Sequence, residues 1–163
     1  HPKRPNCYRR LRAFAADAGE WLGRRILSID LDCVILRDIT GLADRPEDFV
    51  ILGDRAPNAT PYNGSMWLLT AGTRATVWGT FNPDLSPEIT KRAGIIGSDQ
   101  AWIAHVLGPR EATWSERDGV LGYGRHVTRR HGGTPPQSAR MVFFWGPHDP
   151  SRAPQQWVKD NWG

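Results

Sequence analysis

The segment Arg25-Ile26-Leu27-Ser28-Ile29-Asp30-Leu31-Asp32-Cys33 constrains the fold more than any other. Ile26, Leu27 and Ile29 are apolar, and both isoleucines are β-branched, as a strand inside an α/β sheet requires. Two carboxylates then follow, one residue apart. In an extended chain, residues i and i+2 point to the same side. Asp30 and Asp32 therefore repel unless a positive charge joins them, and a divalent cation with oxygen ligands meets that need. The structural alternative is an ion-pair network with Arg24, Arg25 or Arg37. Ligands of open α/β sheets bind outside the carboxyl ends of strands, which favours the cation.

Other properties narrow the class. The chain has 163 residues, enough for one domain with one core. Its 39% hydrophobic and 23% charged content is that of a globular protein. No apolar run approaches the roughly 18 residues of a membrane span, and no signal-peptide pattern is present. Cys7 and Cys33 are too few for a disulfide scaffold and lack zinc spacing. A reduced, cytoplasmic setting is expected. The net charge of +4 comes largely from Lys3, Arg4, Arg9, Arg10, Arg12, Arg24 and Arg25. Aromatic residues do not interleave with these, so the segment reads as a solvated helix face and not as a nucleic-acid surface.

Residues 6–18 are expected to be helical, with Tyr8, Leu11, Phe14, Ala15 and Ala18 facing a core and Gly19 ending the helix. After the Asp30–Asp32 strand, residues 34–36 stay apolar. A short strand is expected over 49–52, a loop over 53–62 and a buried strand over 66–69. Thr73 is placed to cap a helix running to Phe81, residues 82–88 form a loop, and Ser98 caps a second helix. Gly108-Pro109 stops that helix. Short extended pieces follow over 112–124 and 141–145. Residues 129–137 are basic, rich in glycine and proline, and expected to be exposed and mobile. Trp157 and Trp162 are the expected anchors of the tail. Strands and helices alternate, so the fold class is α/β or mixed α+β around a largely buried sheet.

Three further groups could carry chemistry. Asn63-Gly64-Ser65 is either a turn before a strand or an amide that bonds a polar substrate, with Gly64 allowing close approach. Asp99 and Gln100 open a helix, either as ordinary first-turn residues or as groups that position a substrate. His148 follows the last apolar strand and is the imidazole best placed for a metal.

Taken in order, these motifs resemble those of GT-A glycosyltransferases, especially family 8, the glycogenin and galactosyltransferase type. Ile29-Asp30-Leu31-Asp32 is similar to that family's Asp-x-Asp, and Arg37-Asp38-Ile39-Thr40-Gly41-Leu42 to the segment after it. Asn63-Gly64-Ser65-Met66, Asp99-Gln100 and Phe144-Trp145-Gly146 are similar to its later motifs. The resemblance implies a GT-A-like mixed sheet flanked by helices, over residues 1–163 as a single domain. It implies a metal-dependent hexosyltransferase with a nucleotide-sugar donor, a UDP-sugar, and an acceptor. Asp30 and Asp32 would hold Mn²⁺ or Mg²⁺, with Asp30 also touching the donor. Asn63, Gly64 and Ser65 would line the substrate pocket. Asp99 would bond the donor sugar and Gln100 would sit near the anomeric carbon.

Two departures stand out. The family's histidine ligand falls at Trp145, which cannot bind a metal, so His148 becomes the expected third ligand. Only 29 residues precede Asp30. They hold no glycine-rich strand-turn-helix for a nucleoside, so the nucleotide-binding portion is expected to be missing. Two other readings remain. One is a non-catalytic, degenerate glycosyltransferase-like binding domain. The other is a haloacid-dehalogenase-like phosphatase, whose Asp-x-Asp-x-[Thr/Val] pattern Asp30–Val34 also fits, with Asp30 as nucleophile.

Overall fold

A computed structural model of the chain describes residues 6–53, 60–95 and 97–162. Lys3, Arg4 and most of the expected 53–62 loop lie outside the described residues. In chain order the elements begin with a 3₁₀ helix (Asn6–Phe14), α1 (Gly19–Leu22), β1 (Arg25–Ile29), β2 (Cys33–Ile35) and α2 (Thr40–Ala43). Next come β3 (Phe49–Gly53), β4 (Tyr62–Thr70), α3 (Thr76–Gly79), α4 (Ser86–Arg92) and α5 (Asp99–Leu107). The chain closes with β5 (Ala112–Trp114), β6 (Val120–Gly122), a π-helix (Tyr123–Thr128), α6 (Arg129–His131), β7 (Met141–Phe143) and α7 (Gln156–Asn161).

Two compact units result, one of His1–Ser28 with Glu47–Thr113, the other of Ile29–Pro46 with Trp114–Gly163. A four-stranded sheet runs in the order β1-β4-β3-β5. A three-stranded sheet runs β2-β7-β6, with β2 antiparallel and β6 parallel to β7. The expected mixed sheet with flanking helices is therefore observed.

The first unit buries Tyr8, Leu11, Phe14, Phe49, Trp67 and Trp102 in one cluster. Phe14 sits edge-on to Phe49 at 5.6 Å and tilted on Trp67 at 5.1 Å. Each such aromatic contributes roughly 1.5–3 kcal/mol of burial. Tyr8, Leu11 and Phe14 recur every three residues, the spacing of a 3₁₀ helix, in which i and i+3 eclipse. Ala15 and Ala18 are buried after it as expected. Gly19 opens α1 instead of ending the preceding helix.

The second unit has its own core of Val34, Leu121, Val127, Val142 and Phe144. Tyr123 stacks on Phe144 at 4.4 Å and 16°. Trp157 tilts toward both rings, and its indole N–H donates to the Gly133 carbonyl at 2.9 Å. Trp162, the other expected anchor, is exposed.

Several boundaries differ from the sequence expectation. Asn63-Gly64-Ser65 belongs to β4 and is no turn before it. There the register jumps from Ile51↔Trp67 to Leu52↔Asn63, so residues 64–66 bulge from the ladder. Thr73 does not cap α3, because its hydroxyl donates to the Thr70 carbonyl at 2.8 Å. Residues 86–88 are helical, because Pro87 lies in the first turn of α4, where its missing N–H costs nothing. Ser98 precedes α5 but makes no side-chain cap. The basic stretch beyond Tyr123 is helical through His131.

Candidate functional site

In the first unit, β4 and the start of α5 bring three of the expected groups together. The Gly64 N–H donates to Oε1 of Gln100 at 2.9 Å. That bond orients the Gln100 amide, with its NH₂ on the side of Gly97. Ser65 donates its backbone N–H to Oδ1 of Asn63 at 2.9 Å, inside the bulge. The Asn63 carbonyl oxygen thus holds the strand irregularity, and Asn63 and Ser65 are both buried.

Asp99 is 1% exposed. Its Oδ2 accepts Nε–H of Arg10 in an ion pair, and its Oδ1 accepts the Ser98 hydroxyl at 2.9 Å. The serine expected to cap the helix spends its hydroxyl on the carboxylate. A Cβ at Gly64 would stand 3.0 Å from Nη2 of Arg10, 3.3 Å from Oδ2 of Asp99 and 3.4 Å from Cβ of Gln100. Gly64 is buried, and a side chain there would press on a cation, an anion and an amide-bearing residue. The close approach expected of this glycine is to neighbouring side chains.

Arg10 is the functional candidate that sequence reasoning missed. It was assigned to the solvated face by a helical period of 3.6, but the segment winds at three residues per turn. The every-third spacing of Tyr8, Leu11 and Phe14 was the available signal. Its partner lies 89 residues away in sequence, so no local pattern could pair them.

In the second unit, the chain leaves β1 through a bend at Leu31 and Asp32 and does not continue as an extended strand. Leu31 is 94% exposed, Asp30 is half-buried and Asp32 is exposed. The carbonyl of Asp32 accepts the Phe144 N–H at 2.9 Å, which ties the carboxylate pair to the end of β7. The neighbouring Cys33 thiol registers both charges. Burial, then Asp32, then Asp30 push its pKa up to about 11.

His148 is exposed in the turn after β7, where its N–H reaches the Trp145 carbonyl at 3.4 Å. Its ring lies edge-on to Tyr123 at 5.2 Å and 71°. Among the described residues no three His, Cys, Asp or Glu side chains gather closely enough to hold an ion, so His148 does not join Asp30 and Asp32 as a preformed triad. Trp145 stacks parallel to Phe143 at 6.1 Å, and its ring fills the place a side chain on Gly122 would take.

The two carboxylates fit a hard divalent cation. They are oxygen donors at a strand end, and their negative field is felt by the adjacent thiol.

No protein-family model and no curated protein matches this chain. Solved structures do. The galactosyltransferase LgtC, in complex with donor and acceptor sugar analogs, superposes with a TM-score of 0.60 at 13% identity over 94% of this chain. An active-site mutant of LgtC gives 0.59 at 13% identity. The apo glycosyltransferase GlyE of Streptococcus pneumoniae TIGR4 gives 0.56 at 10% identity over 97% of this chain. The chain spans 64% of the length of LgtC and 46% of GlyE. Among the described residues no helix is long and apolar enough to cross a membrane. At these identities the likeness is one of architecture, and the chain has a glycosyltransferase-like fold.

Proposed function

We propose that this chain is the metal-binding and sugar-binding part of a family 8-like glycosyltransferase, moving a hexose from a nucleotide-sugar donor to an acceptor. The observation that carries this reading is the carboxylate pair at the exit of β1, in a fold that superposes on glycosyltransferases. Asp30 and Asp32 provide the oxygen ligands of Mn²⁺ or Mg²⁺. When bound, the cation offsets the charge that develops on the leaving diphosphate.

The chain's own residues do the positioning. Asp99 fixes the guanidinium of Arg10, so that a charged donor stands over Gly64 without conformational search. Gln100, locked by the Gly64 N–H, offers its amide NH₂ to a sugar oxygen. Asn63 and Ser65 hold the bulge that brings Gly64 to this point. Gly64, lacking a side chain, lets Arg10, Asp99 and Gln100 close in on the strand.

Thermal unfolding with Mn²⁺, with UDP, and with both tests the reading. Mn²⁺ with UDP should raise Tm, by mass action on the folded state, and Asp30→Asn should abolish the shift. If neither ligand moves Tm in the unaltered chain, the proposal fails.

A further inference from the structure

Helix α4 is inside out. Ser86 and Thr90, four residues apart, form its buried face at 1% and 2% exposure. Leu85 and Ile89, also four apart, stand on the outside at 60% and 41%. Ala93 continues that outer row and is exposed as well. Leu85 and Ala93 flank the helix at its two ends and both lie in the right-handed helical region, so the row forms one ridge along two turns. The buried hydroxyls are satisfied locally. Oγ of Ser86 accepts the Asn82 N–H at 2.9 Å, and the Thr90 hydroxyl donates to the Pro87 carbonyl at 3.0 Å. Neither Leu85 nor Ile89 belongs to the aromatic core of this unit. A helix that packs on a domain turns its apolar stripe inward. A single exposed leucine needs no explanation, but a ridge of apolar residues on a helix that buries its polar ones does.

Charge identifies what covers the ridge. Glu88 and Arg92 are four residues apart and lie along one flank of it. Both are exposed. Neither forms an ion pair among the described residues, not even with the other, although their spacing allows one. The flank is therefore acidic toward the N-terminus of α4 and basic toward its C-terminus. A second copy turned antiparallel sets Glu88 of each helix opposite Arg92 of the other. A parallel copy sets like charges side by side. In the antiparallel arrangement Ile89 of the two copies meets near the symmetry axis. Leu85 of each then faces Ala93 of the other, a large residue opposite a small one.

We propose that α4 is a self-association surface, on which two copies of this chain pack antiparallel across a two-fold axis, ridge against ridge, with Glu88 of each paired to Arg92 of the other. The ridge is short, so the dimer is a transient one, with a Kd of about 10–100 µM.

Sedimentation equilibrium of the full chain over about 1–500 µM tests this. The mass should rise from monomer toward dimer with concentration. Leu85→Lys and Ile89→Lys should each weaken association at least ~tenfold and leave the far-ultraviolet circular dichroism unchanged, because both side chains already face water. Glu88→Arg and Arg92→Glu each place like charges across the axis and should each weaken it about tenfold. Mixing those two variants should restore association as a heterodimer, and so should both changes in one chain. Should a lysine variant fail to fold, the charge reversals still decide. A dimer unchanged in Leu85→Lys and Ile89→Lys overturns the proposal, and so does one indifferent to the charge reversals or not restored by mixing. A chain that stays monomeric at every concentration overturns it as well, and flotation of that monomer with phosphatidylcholine vesicles would give the ridge to a lipid surface. None of these outcomes bears on the glycosyltransferase reading.

Discussion

Asp99 shows how far a single residue can depart from its local sequence signal. An acidic residue in the first turn of a helix is expected to face water and the helix dipole. Here it is buried and shared between Arg10 and Ser98. Asp99→Ala takes a buried ion pair from Arg10 and a hydrogen bond from Ser98, and it should lower unfolding free energy by about 2–3 kcal/mol in urea titration. Arg10→Ala should cost more, because among the described residues it leaves the carboxylate with the Ser98 hydroxyl alone. Losses below about 0.5 kcal/mol in both variants would dismiss the pair as a surface contact. Asp38 behaves differently. The Thr40 hydroxyl at 2.6 Å, then its N–H at 2.8 Å, hold the Asp38 carboxyl below its ordinary pKa. A depressed folded value means that the charged form favours folding. That contribution is complete above the unfolded value near about pH 4 and is lost as pH falls through the folded one. Thr40→Val should therefore be less stable than the unaltered chain at pH 7, with the gap narrowing in acid, below the unfolded value. Equal gaps at both pH values would sink the assignment. Asp99 and Gln100 were legible as candidates because they open a helix. Their partner Arg10 was hidden by distance along the chain and by an assumed helical period.

Elements were read most accurately where apolar runs are short and bounded, as at β3, β7 and the core of β4. Their ends were read less well. Asn63-Gly64-Ser65 carries turn-forming residues, yet the Asn63 side chain and the Gly64 N–H find partners that allow the strand to continue through a bulge. Ser98 and Thr73 have cap chemistry, but each spends its hydroxyl on a nearer acceptor. Gly108 was identified correctly as the end of α5. It adopts φ 73°, ψ −176°, which other residues rarely tolerate. Its carbonyl also accepts the Tyr62 hydroxyl at 2.6 Å, and that hydroxyl in turn accepts the Glu111 N–H at 2.9 Å. No atom stands within 4 Å of a Cβ at Gly108, so Gly108→Ala tests backbone strain alone. The expected loss is about 1–3 kcal/mol, read from chemical denaturation. A neutral result would mean that the turn relaxes into an ordinary conformation.

At the scale of the whole molecule, each compact unit carries its own aromatic core. Alternating strands and helices made the α/β class legible, and Asp30 and Asp32 could be read from the sequence as the exit of a strand. A division into two units was not legible, because the chain crosses from one to the other between Ser28 and Ile29, inside the strand β1. Protection should follow strand order. Amides of β3 and β4, central in β1-β4-β3-β5, should exchange with deuterium more slowly than those of edge strand β5. Faster exchange at Val50 and Leu68, paired across the two central strands, would contradict that order. Gly122 and Gly124 extend the same reasoning to how the sequence can change. Each is half of a volume shared with a ring more than twenty positions away, Trp145 for one and His148 for the other. A side chain at 122 should thus be accepted only beside a smaller residue at 145, and one at 124 only beside a smaller residue at 148. A deep mutational library would reveal this as two coupled pairs, with a side chain at 122 tolerated only once the indole has gone.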